Sequence, residues 1–301
     1  MSVMPSLKRS IRVTSLSFNN QLDEHVWEAV KTAGSMQSDL IILPETWAGP
    51  EAIDSLDSPR VLKLRELAEK YGVYIVSGMY RKSENHARIN SAILIGRSGK
   101  IEGIYDKVYP YWTEFDLNPP VEIGKKPLVF DTDFGGLGIA ICFDTNFPIV
   151  WEEMAKLGAR IIAWPSAYSA GTSLQAHALN YNYYIVTATL ENDCTVYDIT
   201  GKEILFNKVL RDDDILISSV VLDMDRSIFH QNFNGNVKKL LADNSDTIIQ
   251  EQSLPREQWF VLKSIKECVS ARELAKQYGL EELSKYKLRS REEQDRMREE
   301  M

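Results

Sequence analysis

Arg12-Val-Thr-Ser-Leu-Ser-Phe18 alternates apolar and polar side chains, the period-two pattern of a strand with one buried face. Residues 22–36 follow with Leu22, Val26, Ala29, Val30 and Ala33 spaced along one face of a helix. Residues 40–43 are a short apolar run stopped by Pro44, as expected of a strand buried on both sides. Ser58-Pro59 supplies a hydroxyl cap and a proline at the first helical position, so a second helix starts there. Tyr71-Gly72 closes that helix, and Val73-Tyr-Ile-Val76 reads as the next strand. The order is β-α-β-α-β.

Hairpins then interrupt the alternation. Residues 91–96 and 100–105 flank the turn Arg97-Ser-Gly99, and residues 195–199 and 202–206 flank Thr200-Gly201. Between them lies a strand–turn–helix–strand unit: Gly138-Ile-Ala-Ile141, a helix near 148–157, and Arg160-Ile-Ile-Ala-Trp164. A helix at 171–183 and strands at 184–190 and 215–222 complete the pattern. Strands alternating with helices, with added hairpins, imply an α/β layered domain in which a mixed sheet is covered by helices. No Pro/Gly/Ser-rich linker divides residues 10–225.

The chain has 301 residues, 44% hydrophobic and 26% charged, which is a globular composition. Its 35 basic and 43 acidic residues leave a net charge of −8, which argues against a nucleic-acid partner. No apolar run approaches a membrane span, and the basic N-terminus lacks the apolar stretch of a secretory signal. Cys142, Cys194 and Cys268 are too few for a disulfide framework, so the expected compartment is the cytoplasm. Residues 262–301 carry ten basic and nine acidic side chains, one glycine and no proline. They are expected to be helical throughout, as a solvated helical tail or a dimer arm after a 1–261 domain.

Three apolar strands each end abruptly in a reactive side chain: Leu40-Ile-Ile-Leu-Pro-Glu45, Ile104-Tyr-Asp-Lys107 and Gly138-Ile-Ala-Ile-Cys142. Ligands of open α/β sheets bind at the carboxyl ends of strands, where loops converge over a rigid edge. A thiol at a strand-to-helix turn gains from nearby backbone N–H groups, although a lone cysteine also suits an inert core. Glu45 beside apolar walls suits a general base, and Lys107 suits a developing negative charge. Glu114 is the candidate second carboxylate, seven residues on in a loop rich in aromatics. His25, His86 and His230 lack a strand-end setting, and His177 falls inside an expected helix. No metal-ligand spacing, Walker loop or dinucleotide fingerprint occurs, so no metal and no cofactor are expected.

With these blocks in order, the chain resembles the nitrilase superfamily of carbon–nitrogen hydrolases. The resemblance rests on Leu43-Pro-Glu45-Thr-Trp47, Tyr105-Asp-Lys107 and Gly138-Ile-Ala-Ile-Cys142-Phe-Asp144 with Pro148 following. Gly158-Ala159, Trp164-Pro-Ser-Ala-Tyr168 and Asp198-Ile-Thr-Gly-Lys202 support it, over about residues 10–225. It implies a four-layer α-β-β-α sandwich that self-associates through helices, here with a C-terminal helical extension. It also implies a Glu-Lys-Cys triad with a second glutamate: Cys142 as nucleophile, Glu45 as base, Lys107 and the Phe143 N–H on the oxyanion, and Glu114 in support. Candidate substrate-binding residues are Tyr111, Phe143, Asn146 and Trp164.

Departures from the family pattern narrow the expectation. Asp106 stands where many relatives have arginine. Asn146 and Ile149 replace an arginine and a glutamate of many amide-cleaving members, and an amide cannot grip a carboxylate as a guanidinium does. Cys142-Phe-Asp144 fits amide better than nitrile cleavage. The expected activity is hydrolysis of a small amide or N-carbamoyl compound through a thioester. Nitrile hydrolysis, acyl transfer to an amine and a non-catalytic scaffold remain as alternatives.

Overall fold

Strand Ser10–Ser17 pairs in parallel with Leu40–Ile42, which pairs in parallel with Tyr74–Lys82. The computed structural model describes residues 9–83, 87–210 and 214–300. The chain divides into two compact units, one of residues 11–222 and one from residue 223 onward with residues 9 and 10.

The larger unit holds two mixed sheets. In the first, the spatial order is Leu216–Asp223, Ser10–Ser17, Leu40–Ile42, Tyr74–Lys82, Arg88–Ile95, Ile101–Asp106, with two short strands paired at its margin. Helices Asp23–Ser35 and Pro59–Tyr71 cover its outer face, burying Val26, Val30, Val61, Leu64 and Leu67 with Ile41, Ile75 and Ile93. Each such side chain contributes about 1.5–3 kcal/mol relative to exposure. Ser58 caps the second helix by accepting from the Val61 N–H, and Gly72 ends it at φ +61°, where a side chain would be strained.

The second sheet runs Glu203–Lys208, Asp193–Tyr197, Tyr184–Thr189, Ala159–Ser166, Gly135–Ile139, Val129–Thr132. Helices Pro148–Lys156 and Thr172–Tyr181 cover it through Trp151, Met154, Leu174 and Ala178. The two sheets meet through polar contacts. Ser15 Oγ donates to the Thr187 carbonyl at 2.7 Å, and the Thr189 N–H donates to Ser17 Oγ at 3.0 Å. Helix, sheet, sheet and helix form the expected α-β-β-α layering. Both hairpins also form, as Arg88–Ile95 with Ile101–Asp106 and Asp193–Tyr197 with Glu203–Lys208.

The smaller unit differs from the expectation for the tail. Strands Ser227–His230, Trp259–Ser264 and Ile248–Leu254 make an antiparallel sheet, so a boundary at 261/262 falls within a strand. Residues 262–301 are therefore not helical throughout. They contribute the end of that strand and helices Ala271–Gln277 and Leu283–Glu299. Charge alternation concealed the strand, because Phe260, Val261 and Leu262 are buried just before the charged run. Phe229, Leu240, Ile248, Phe260 and Leu262 form this unit's core. The C-terminal helix buries Leu283 and pairs charges along its length, for example Arg296 with Glu293 at 2.5 Å.

Candidate active site

Glu45 follows strand Leu40–Ile42 across Pro44. It passes so close to the neighbouring strand that a Cβ on Gly78 would lie 2.4 Å from the Pro44 carbonyl and 2.6 Å from Glu45 Cα. Only glycine permits that approach. Trp47 anchors the next turn by donating Nε1–H to Ser77 Oγ at 2.9 Å. Lys107 follows strand Ile101–Asp106, and its N–H donates to the Asn90 carbonyl at 2.8 Å. Asp106, the departure from the usual arginine, is held by Arg81 at 2.9 Å and by Ser91 Oγ at 2.6 Å.

Cys142 opens a 3-10 turn, Cys142–Asn146, after strand Gly135–Ile139, and has φ +44°. Such a conformation costs a non-glycine residue on the order of 1–3 kcal/mol and persists only where its surroundings impose it. Asp144 imposes it here. Its carboxylate accepts from the Ile141 N–H (2.9 Å), the Tyr109 N–H (2.9 Å) and the Tyr105 hydroxyl (2.7 Å). Burial raises the Asp144 carboxyl to about 6 against the pull of these donors.

Glu45, Lys107, Glu114 and Cys142 come together on one cleft of about 610 Å³. The Lys107 ammonium, 1% exposed, donates to Glu45 Oε1 and to Glu114 Oε2, each at 2.7 Å. The Ala167 N–H donates to Glu45 Oε2 at 2.9 Å, and the Tyr111 N–H to Glu114 Oε2 at 2.7 Å. Burial works against the Lys107 charge, but Glu45 and Glu114 outweigh it and hold the ammonium above its ordinary range. Burial first, then Glu45, push the Cys142 thiol up, against Lys107 and the Ala167 N–H. The resting nucleophile is thus a thiol that hydrogen-bonds to a carboxylate, and its proton has an acceptor at hand.

Of the candidate substrate-binding residues, Tyr111, Phe143 and Asn146 line the cleft. Trp164 does not. It is fully buried in the core beneath the second sheet's helices, with its ring edge-on to Tyr168 at 5.6 Å. Strand Ala159–Ser166 runs two residues beyond Trp164, so the side chain that reaches the cleft is Tyr168. The sequence also left Asn90 unmarked. Asn90 Nδ2 donates to Glu45 Oε1 at 2.7 Å and to Glu114 Oε1 at 2.6 Å. The available signal was a polar Asn90-Ser91 pair set between Ile89 and the apolar run Ala92–Ile95 of a hairpin strand. Tyr80, whose hydroxyl donates to Glu114 at 3.3 Å, was missed as well.

The described histidines lie elsewhere. His177 is buried, stacked on Trp151 at 4.3 Å with Nε2 2.8 Å from the Thr145 carbonyl, and burial lowers its pKa. His86 and residues 1–8, where a leader would begin, lie outside the described residues. Among the described residues no cluster of three metal-binding side chains occurs, and no helix is long and apolar enough to cross a membrane.

Residues 13–227 match the family described as carbon-nitrogen hydrolase. The chain belongs to that family. Among curated carbon–nitrogen hydrolases it is 25% identical over 240 residues to the chloroplastic omega-amidase of Arabidopsis thaliana, covering 69% of this chain and 64% of the relative. It is 28% identical over 153 residues to the deaminated glutathione amidase of Yersinia enterocolitica, covering 46% and 51%. In both cases it spans less than two-thirds of the relative's length. The fold matches an amidase from Nesterenkonia sp. with a TM-score of 0.62 at 17% identity, over 73% of this chain and 93% of that one. It also matches a branch 10 nitrilase-superfamily member from Saccharomyces cerevisiae, with a TM-score of 0.62 at 20% identity over 74% and 93%. The Nesterenkonia amidase has been captured with acrylamide, with butyramide and with acrylamide added to its active-site cysteine.

Proposed function

We propose that this carbon–nitrogen hydrolase cleaves the C–N bond of a small amide or N-carbamoyl compound, with Cys142 as nucleophile. The observation that carries the reading is the shared position of Lys107, whose ammonium joins Glu45 and Glu114 on the cleft that Cys142 opens into. Cys142 Sγ attacks the carbonyl carbon while its proton passes to Glu45. The carbonyl electron pair moves to oxygen, where the Phe143 N–H and the third N–H of Lys107 hold the oxyanion. Preformed donors of this kind are worth about 10²–10³ in rate each. The protonated Glu45 then gives its proton to the leaving nitrogen as the C–N bond breaks, and ammonia or an amine departs. Water, deprotonated by Glu45, attacks the thioester carbonyl; the C–S bond breaks, the acid leaves, and Glu45 returns the proton to the Cys142 sulfur. Glu114 keeps Lys107 in place.

Small amides in complexes of the Nesterenkonia amidase support the substrate class. The test is intact-protein mass spectrometry after exposure to a panel of small amides and N-carbamoyl compounds, in parallel with ammonia release. An acyl adduct on the wild type that is missing from Cys142→Ala supports the reading. No adduct and no ammonia across the panel, with Cys142 also inert to alkylation, would defeat it.

A further inference from the structure

The cleft's charges are spent on one another. Among the described residues that line it, Lys107 is the one cation, and two of its three N–H groups go to Glu45 and Glu114. Two carboxylates against one ammonium, with a neutral thiol, leave the cleft with a formal negative charge. The guanidinium stacked on Tyr80 does not relieve it. Arg88 lies over that ring at 4.8 Å, donates to the Pro50 and Asn118 carbonyls, and is not among the residues that line the cleft. Arg81 is engaged by Asp106.

The rest of the wall is uncharged. Tyr111 and Phe143 meet edge to face at 5.2 Å, and Tyr168 carries a phenol that burial keeps protonated, raised to about 12. Asn146, at the turn after Cys142, donates Nδ2–H to the Phe143 carbonyl at 3.2 Å and lies beside the Tyr168 hydroxyl. An acyl chain leaving the reacting carbonyl therefore meets aromatic faces, an amide and hydroxyls. A carboxylate on that chain would lose its water to a site that offers no positive partner and already holds two anions. An unpaired buried charge of this kind is rejected by about 100-fold or more.

Resting on the amidase reading above, we infer that this site takes amides whose acyl group is uncharged, aliphatic or aromatic, and excludes amides that carry a carboxylate. Asn146, a neutral lining residue at the turn after Cys142, is a position where a cation would reverse this preference.

Butyramide and succinamate test it directly, since they differ by a methyl against a carboxylate, and methyl succinamate restores the bulk without the charge. Calorimetry on Cys142→Ala reads binding without chemistry, and ammonia release reads turnover in the wild type. The expected result is tighter binding and about 100-fold higher kcat/KM for butyramide than for succinamate, with the methyl ester close to butyramide. Asn146→Arg should narrow that gap at least tenfold. Succinamate matching butyramide, or the ester as poor as succinamate, overturns the inference, and so does binding of none of the three. A variant that binds butyramide over succinamate beside a wild type that releases no ammonia upholds the charge preference and strikes the amidase reading instead.

Discussion

Asn90 and Lys107 donate to the same oxygen of Glu45, each at 2.7 Å. Both also reach Glu114, on its two different oxygens. The two carboxylates are therefore clamped twice, once by an ammonium and once by a neutral amide. Glu45 Oε2, held by the Ala167 N–H, is the less encumbered oxygen for the proton of Cys142.

Replacing Asn90 should disturb position more than binding. Asn90→Leu removes two hydrogen bonds from buried carboxylates without touching the aromatic wall of the cleft. We expect kcat to fall about 10–100-fold, the usual result of slight misplacement, with KM little changed. Steady-state ammonia release checks this, and a rise in KM with kcat intact would contradict it.

Lys107→Met leaves two buried carboxylates facing each other without a cation. Breaking such a pair costs about 3–5 kcal/mol of stability, and loss of the oxyanion donor costs about 10²–10³ in kcat. Denaturant unfolding and activity assays read the two effects separately. Adding Glu114→Gln to Lys107→Met should restore part of the stability and none of the activity.

Cys142 should alkylate slowly at neutral pH. Burial and the neighbouring Glu45 push its thiol up, so the thiolate is scarce in the resting site. The rate of labelling by iodoacetamide, followed by peptide mapping, should still be climbing through pH 9. A plateau below pH 8 would mean that the thiolate is the resting species.

Asp144 carries a pH signature of its own. Burial raises its carboxyl to about 6, so between about pH 4 and 6 the folded chain keeps a proton that the unfolded chain has released. This group's contribution to stability therefore falls as pH rises through that window, by on the order of 3 kcal/mol. Denaturation of the wild type and Asp144→Asn at pH 4.5 and 7 should show the wild-type advantage shrinking at the higher pH. The variant should also lose activity at both, because its amide nitrogen replaces one of the two oxygens and cannot accept the N–H that oxygen held, that of Ile141 or of Tyr109, in the Cys142 turn.

Much of the site was legible because Glu45, Lys107 and Cys142 each stand where an apolar strand stops, which is a local property. Asn90 was not, because it lies inside a strand and acts on residues far away in the chain. Its side chain matters only once the hairpin brings Arg88–Ile95 beside the ends of two other strands. Trp164 and Tyr168 exchanged places for a similar reason. Strand Ala159–Ser166 outruns the apolar segment that marked it, and the last residues decide which ring faces the cleft.

The tail shows the same limit. Its charges are real and the C-terminal helix is solvated, yet the strand Trp259–Ser264 is invisible until Ile248–Leu254 and Ser227–His230 pair with it.

Between residues 10 and 222 the sequence by itself determined the order of the main strands and helices, the caps at Ser58 and Gly72, and the reactive residues at the strand ends. Periodicity, capping and turn chemistry act over a few residues, and so they can be read from a few residues. Tertiary structure alone decided that one ammonium is shared by two carboxylates, that an amide binds the same pair, and that no free cation lines the described cleft. Those facts depend on which side chains meet across the sheets, and long-range packing sets them.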